Sequence, residues 1–242
     1  MAKDSALVAV YARRVLSLGD AALGDEYYYG SLPLAVLDAV FSIGVRYASV
    51  RNVVDRYCSR FAVTKLRRDR HQLPLRAEQE PVSAFCTRFE YLGIEAMVGI
   101  LCSKHRTSPR NGILKADAAY RFASALRAHR IEYLQDAAAA PRTDVERMIL
   151  DIPGQRSGIS LRYFWMLAGA DDFIKPDRMV FRFLEAAVGR VVLADEAQAL
   201  LAEATEILSA DYPALTPRLL DHEIWKYQRE QSGPPKERIS SP

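Results

Sequence analysis

Ile152-Pro153-Gly154-Gln155-Arg156-Ser157-Gly158 is the sharpest punctuation in the chain, and it stands between two segments of helical spacing. Before it, Thr143-Asp144-Val145-Glu146 has the capping-box pattern and predicts a short helix running to Ile152, where Pro153 and Gly154 stop it. Behind it, Ile159 to Leu167 is an amphipathic run. The pattern is helix, glycine hairpin, helix. Glycines admit positive φ angles and leave no side chain in the way, so such a hairpin can aim several backbone N–H groups at one point, which suits a phosphate oxygen. Contacts of that kind hold a duplex by its backbone without reading its sequence. An ordinary turn between packed helices carries the same punctuation.

Outward from the hairpin, a polar loop after Gly169 leads to Lys175-Pro176-Asp177, and then Met179, Val180, Phe183, Leu184, Ala187 and Val188 repeat with helical period. Asp177 is expected at or next to a helix N-cap. Two further helices are expected, from Asp195 to Leu208 and from Pro217 to about Arg229 with Thr216 as N-cap. Upstream, Val36, Leu37, Val40 and Phe41 form one apolar stripe ending at Gly44, and Val50, Val53, Val54 and Tyr57 form another. Helices are also expected from Pro81 to Cys102 and from Asp117 to about Gln135. Runs with the period-two alternation of strands are scarce, so the fold class is all-α. The tail from Ser232, with Gly233-Pro234-Pro235, reads as flexible.

The 242 residues, half of them hydrophobic, suffice for a sizeable core in one domain or two. Cys58, Cys86 and Cys102 are odd in number and set in apolar patterns, which suggests free buried thiols rather than a disulfide framework or a zinc site. The four histidines show no ligand spacing, so no catalytic metal is expected. No run approaches the roughly 18 apolar residues of a membrane span, and the start, with Asp4 and Arg13-Arg14, is unlike a signal peptide. The net charge of +3 is too small to imply a polyanionic partner, but its distribution is uneven. Arg60 to Arg76 holds six basic residues against Asp69 alone, and Lys104 to Lys115 holds four and no acid. Either stretch could follow a phosphate backbone, or be a solvated loop.

From Ile149 to Leu184 the chain resembles the signature region of the helix-hairpin-helix DNA glycosylases, the superfamily of endonuclease III and the helical 3-methyladenine glycosylases. There a Leu-Pro-Gly-x-Gly hairpin opens a helix and an aspartate follows some twenty residues on. Ile152-Pro153-Gly154 resembles the hairpin start, Tyr163 to Gly169 the helix behind it, and Pro176-Asp177 with Val180 and Arg182 the aspartate segment. The likeness extends to Leu32-Pro33-Leu34 through Val54, to Asn111-Gly112-Ile113 through Leu126, and to Leu220-Asp221-His222 through Tyr227. It departs in three places. Arg156 stands where the family has its second glycine, which leaves the phosphate and monovalent-cation contacts of the hairpin open to alteration. The position of the Schiff-base lysine falls at or near Gly158, with no lysine between Lys115 and Lys175, so lyase activity is not implied. No cysteine follows Cys102, so the iron-sulfur motif is absent.

The resemblance implies two helical lobes with a DNA cleft between them: a bundle over 31–169, and a second lobe combining 1–30 with 170–231. It implies a monofunctional DNA glycosylase acting on a damaged or modified base, with Asp177 as the catalytic carboxylate. Gly154, Gln155, Arg156, Ser157 and Gly158, with Arg46, Arg67, Arg68, Lys104 and Arg106, would hold DNA. Val45, Arg46 or Tyr47 would fill the space of the flipped base, and Tyr27, Tyr28, Tyr29, Tyr163 and Trp165 are candidates for its pocket. No cofactor is expected beyond a monovalent cation at the hairpin. DNA is the expected partner, the monomer the expected state, and the cytoplasm, in association with the nucleoid, the expected location. A homologue that grips DNA without catalysis, and a helical interaction protein, are the alternatives.

Overall fold

The computed structural model describes residues 2–193 and 196–231. Asp195 and the tail from Ser232 lie outside them. The chain is all-helical. The α-helices of the described residues are α1 (Ala2–Val15), α2 (Leu32–Phe41), α3 (Tyr47–Phe61), α4 (Val82–Leu92), α5 (Ile94–Leu101), α6 (Lys115–Ala128), α7 (Leu134–Ala139), α8 (Thr143–Leu150), α9 (Ile159–Ala168), α10 (Arg178–Val188), α11 (Ala197–Leu208) and α12 (Pro217–Gln231). Among those residues extended pairing is limited to two isolated bridges, Tyr29 with Leu66 and Arg106 with Leu114. No helix there is long and apolar enough to cross a membrane.

Two compact units divide the chain, one built from Met1–Leu23 with Ile174–Pro242 and the other from Gly24–Phe173. Residues 24–30 fall in the second unit rather than with the N-terminal segment, because Tyr29 bonds into its core. In the first unit α1 packs on α10 and α11, and α12 packs on the same two helices. Val180, Phe183 and Leu184, spaced three and four apart on α10, bury one stripe against Val8, Leu200 and Ile224.

In the second unit α2 is central, in contact with α3, α6 and α9. All ten of its residues are buried, as befits a helix that is apolar at every position but Asp38. Lys115 ends it from the start of α6: the buried ammonium donates to the carbonyls of Phe41 (2.9 Å) and Ile43 (2.6 Å). A cation there satisfies two terminal carbonyls and opposes the negative end of the helix dipole. Lys115 is therefore not available to a phosphate backbone.

Several boundaries differ from the sequence expectation. The run from Pro81 to Cys102 is broken by Gly93, at φ +80°, into α4 and α5. The run from Asp117 to Gln135 is broken after Ala128, where Arg130 takes a positive φ. Thr143 is the first residue of α8 and not its cap; Arg142 holds the cap position and makes no side-chain capping bond. Cys86 is buried, Cys58 half-buried, and Cys102 exposed at the left-handed end of α5.

Candidate active site and nucleic-acid interface

Asp177 caps α10. Its Oδ1 accepts the backbone N–H groups of Met179 (2.8 Å) and Val180 (3.3 Å), while Oδ2 takes neither. Pro176 before it is buried, and the Asp177 N–H turns back onto the Lys175 carbonyl at 2.6 Å. The half-buried carboxylate is thus held by backbone on one side and has one oxygen left outside the cap. Thr216 caps α12 in the same manner, accepting from Leu219 N–H at 3.2 Å.

Sequence reasoning gave no role to a second acid beside this turn. Asp221, on α12, is buried, and its Oδ1 accepts the Lys175 N–H at 3.2 Å. Burial, and then the charge of Asp177, lift its carboxyl to about 8, against the opposing pull of that N–H, Lys175 and Arg218. The turn that presents Asp177 is therefore fastened at Lys175 to a carboxyl that keeps its proton at neutral pH. Lys175 itself is half-buried.

In the other unit the hairpin joins α8 to α9. Gly154 sits at φ +85°, and a Cβ there would lie 2.4 Å from Thr107 Oγ1 and 2.5 Å from Thr107 Cβ. The Thr107 hydroxyl donates to the Pro153 carbonyl (2.8 Å) and accepts from Ile113 N–H (3.2 Å). Glycine is required because the loop of the second basic stretch lies against it, which brings Arg106 next in chain to a residue touching the hairpin. Gln155 is 2 % exposed and accepts from the Ser160 hydroxyl, so its side chain is internal. Arg156 and Ser157 are exposed at the tip, and their N–H groups make no hydrogen bond among the described residues. The carbonyls of Ile152, Pro153 and Gln155 accept from Gln155 N–H, Thr107 and Gly158 N–H. A monovalent cation would have to share them, and the chemistry proposed below does not use one.

Three of the candidate aromatic residues converge on an acid that the sequence reading also passed over. Asp38, fully buried on α2, accepts the hydroxyls of Tyr29 (2.9 Å) and Tyr163 (3.4 Å) on Oδ2. Tyr47, stacked on Tyr27 with ring centroids 6.2 Å apart, belongs to the same cluster. Burial first, and then the charge of Asp38, push the phenols of Tyr29, Tyr47 and Tyr163 far up. A lone acid in a helix otherwise apolar was the available signal. Trp165 lies elsewhere in the core, 1 % exposed, with the Arg142 guanidinium 4.8 Å from its ring.

Among the basic candidates, Arg67 is used internally: Nε donates to the Tyr29 carbonyl (3.1 Å) and the guanidinium covers the Tyr28 ring. Arg106 spends Nη1 on the Gly112 carbonyl (2.8 Å). Arg46, Arg68 and Lys104 are exposed. Val45 and the pair that flanks Lys104, Ser103 and His105, line one pocket, so the loop after α2 and the loop after α5 meet. Among the described residues no cluster of three or more His, Cys, Asp or Glu could hold a metal ion.

These features define an all-helical protein with a capped, half-buried aspartate in one unit and a glycine hairpin in the other. The chain belongs to the family described as Domain of unknown function (DUF8548), which matches residues 6–229. No curated protein and no solved structure matches it.

Proposed function

We propose that the chain binds DNA and hydrolyses the N-glycosidic bond of a damaged or modified base, with Asp177 as the catalytic carboxylate. The observation that carries the reading is the state of Asp177: fixed by two backbone N–H groups through one oxygen, with the other outside the cap. A fixed carboxylate stabilises the positive charge that develops on the sugar as the C1′–N bond breaks, and can orient the water that attacks C1′. The bonding electrons leave with the base, which takes up a proton, and the water oxygen bonds to C1′. No lysine lies between Lys115 and Lys175, so the product is an intact abasic strand. The hairpin tip, with the free N–H groups of Arg156 and Ser157, would grip the backbone.

Duplexes carrying one alkylated, deaminated, oxidised or hypermodified base each test the reading. Excision should leave a strand cut only after hot alkali, and borohydride should trap no covalent adduct. Asp177→Asn keeps an oxygen for the cap, so folding and DNA affinity persist while excision falls by about two to three orders of magnitude, the scale for loss of a key electrostatic group. Full excision by that variant removes Asp177 from the mechanism. Arg156 in place of the second hairpin glycine favours one other reading, a homologue that grips DNA without catalysis; binding without excision across all the duplexes would select it.

A further inference from the structure

A cavity of about 200 Å³ lies in the 24–173 unit, walled by the first turns of α3 and by the chain leaving α5. Ser49, Asn52, Arg56, Ser103 and His105 supply its polar wall above Phe41 and Val53, and no acid lines it. Ser103 is 7 % exposed, and its hydroxyl has no hydrogen-bond partner among the described residues. Buried hydroxyls are nearly always paired, by protein or by water, so this wall holds a hydroxyl with hydrogen-bonding capacity to spare for water or a ligand. Arg56 is anchored by one bond from Nη1 to the Leu101 carbonyl, 3.2 Å, which turns a flexible cation into a fixed one.

Cations outnumber acids beside the lining residues, and the one acid next to them in chain, Asp55, is paired with Lys65. Arg46 and Lys104, each next in chain to a lining residue, are exposed and form no ion pair among the described residues. Elsewhere in the same unit some arginines are matched, Arg76 with Asp136, Arg121 with Asp117 and Arg127 with Glu90, and others, Arg68 and Arg156 among them, are exposed. Donors approaching from guanidinium, side-chain amide, imidazole and hydroxyl suit a tetrahedral anion better than a planar carboxylate, which one guanidinium satisfies alone.

We propose that this pocket binds a phosphate group. It rests on the nucleic-acid reading only for where the phosphate comes from: a phosphodiester within a strand, the phosphomonoester at a strand end, or the free ion. The test is titration of the full chain with inorganic phosphate at constant ionic strength, followed through its amide NMR signals. Saturable shifts are expected at Asn52, Ser103 and His105. Ser103→Ala removes only the hydroxyl and His105→Ala only an exposed ring, so both keep the fold, and each should weaken phosphate by about tenfold, the scale of one hydrogen bond to a charged group. Absence of saturable shifts, or undiminished binding in both variants with unchanged thermal unfolding, overturns the proposal. Competition then identifies the source. Displacement of phosphate by a plain blunt duplex assigns the internal phosphodiester, displacement only by the 5′-phosphorylated duplex assigns the strand end, and displacement by neither assigns the free ion. Excision is not read in any arm, so failure of the glycosidase reading leaves the result standing.

Discussion

Burial and the charge of Asp177 keep Asp221 protonated up to about pH 8 in the folded chain, against an ordinary 3.8. The unfolded chain releases that proton far earlier, so between those values the native state binds more protons than the unfolded state. This contribution is complete below 3.8 and is lost as pH rises toward 8. Glu80 acts in the same sense between 4.5 and about 7, because burial outweighs its Arg88 ion pair and the Tyr57 hydroxyl. Urea midpoints should fall across this window, and Asp221→Asn, which cannot ionise and retains an oxygen for the Lys175 N–H, should flatten the decline above 7. A slope unchanged by that substitution would place the proton elsewhere. At Asp38, Tyr29→Phe removes the 2.9 Å donor to a buried carboxylate and should cost about 1–3 kcal/mol. The loss should shrink in an Asp38→Asn background, and a double-mutant cycle reads the difference; strict additivity would mean the hydroxyl does not serve the acid.

At the level of elements, the hairpin depends on the loop that lies against it. Gly154→Ala puts a methyl group 2.4 Å from Thr107 Oγ1 at φ +85°, so both the backbone and the Thr107 contact must shift. A loss of about 1–3 kcal/mol is expected by thermal unfolding, and an unperturbed variant would show that the loop yields freely. Where an element ends for a local reason, the sequence carried it: Pro176-Asp177 before the Val180, Phe183, Leu184 stripe announced α10 and its cap, and Thr216-Pro217 announced α12. Where the end depends on packing, the pattern misled. Gly93 sits inside an apolar run whose period continues across it, and the Thr143 box lost its cap position to Arg142. The candidate site divides in the same way. Asp177 was legible because a cap is a local device. Asp221 was not, because its meaning arises only where α12 meets the Lys175 turn, and Asp38 was marked only by being the one acid on α2.

Across the whole molecule, the proposed DNA contact rests on separate cations in loops, so affinity should fall steeply as salt rises, log K decreasing in proportion to the number of phosphates neutralised. The structure separates cations that the sequence treated alike. Charge reversal at Arg68 or Lys104, both exposed, should weaken binding for every duplex sequence without lowering the thermal midpoint. Reversal at Arg67 should lower the midpoint too, since it holds the Tyr29 carbonyl and the Tyr28 ring. A flat salt response measured by fluorescence anisotropy would count against any DNA role. The division into units has a temporal side as well. The 24–173 unit is continuous in the chain, so a ribosome delivers everything it needs in one stretch, whereas α1 packs on α10 and α11 and emerges before any of that stretch is made. Synthesis runs from the N-terminus and domains fold as units. Val8, Ala9 and Ala12 of α1, all buried in the finished protein, therefore wait in solvent until the last third of the chain arrives, and a helix made before the whole 24–173 unit is packed after it.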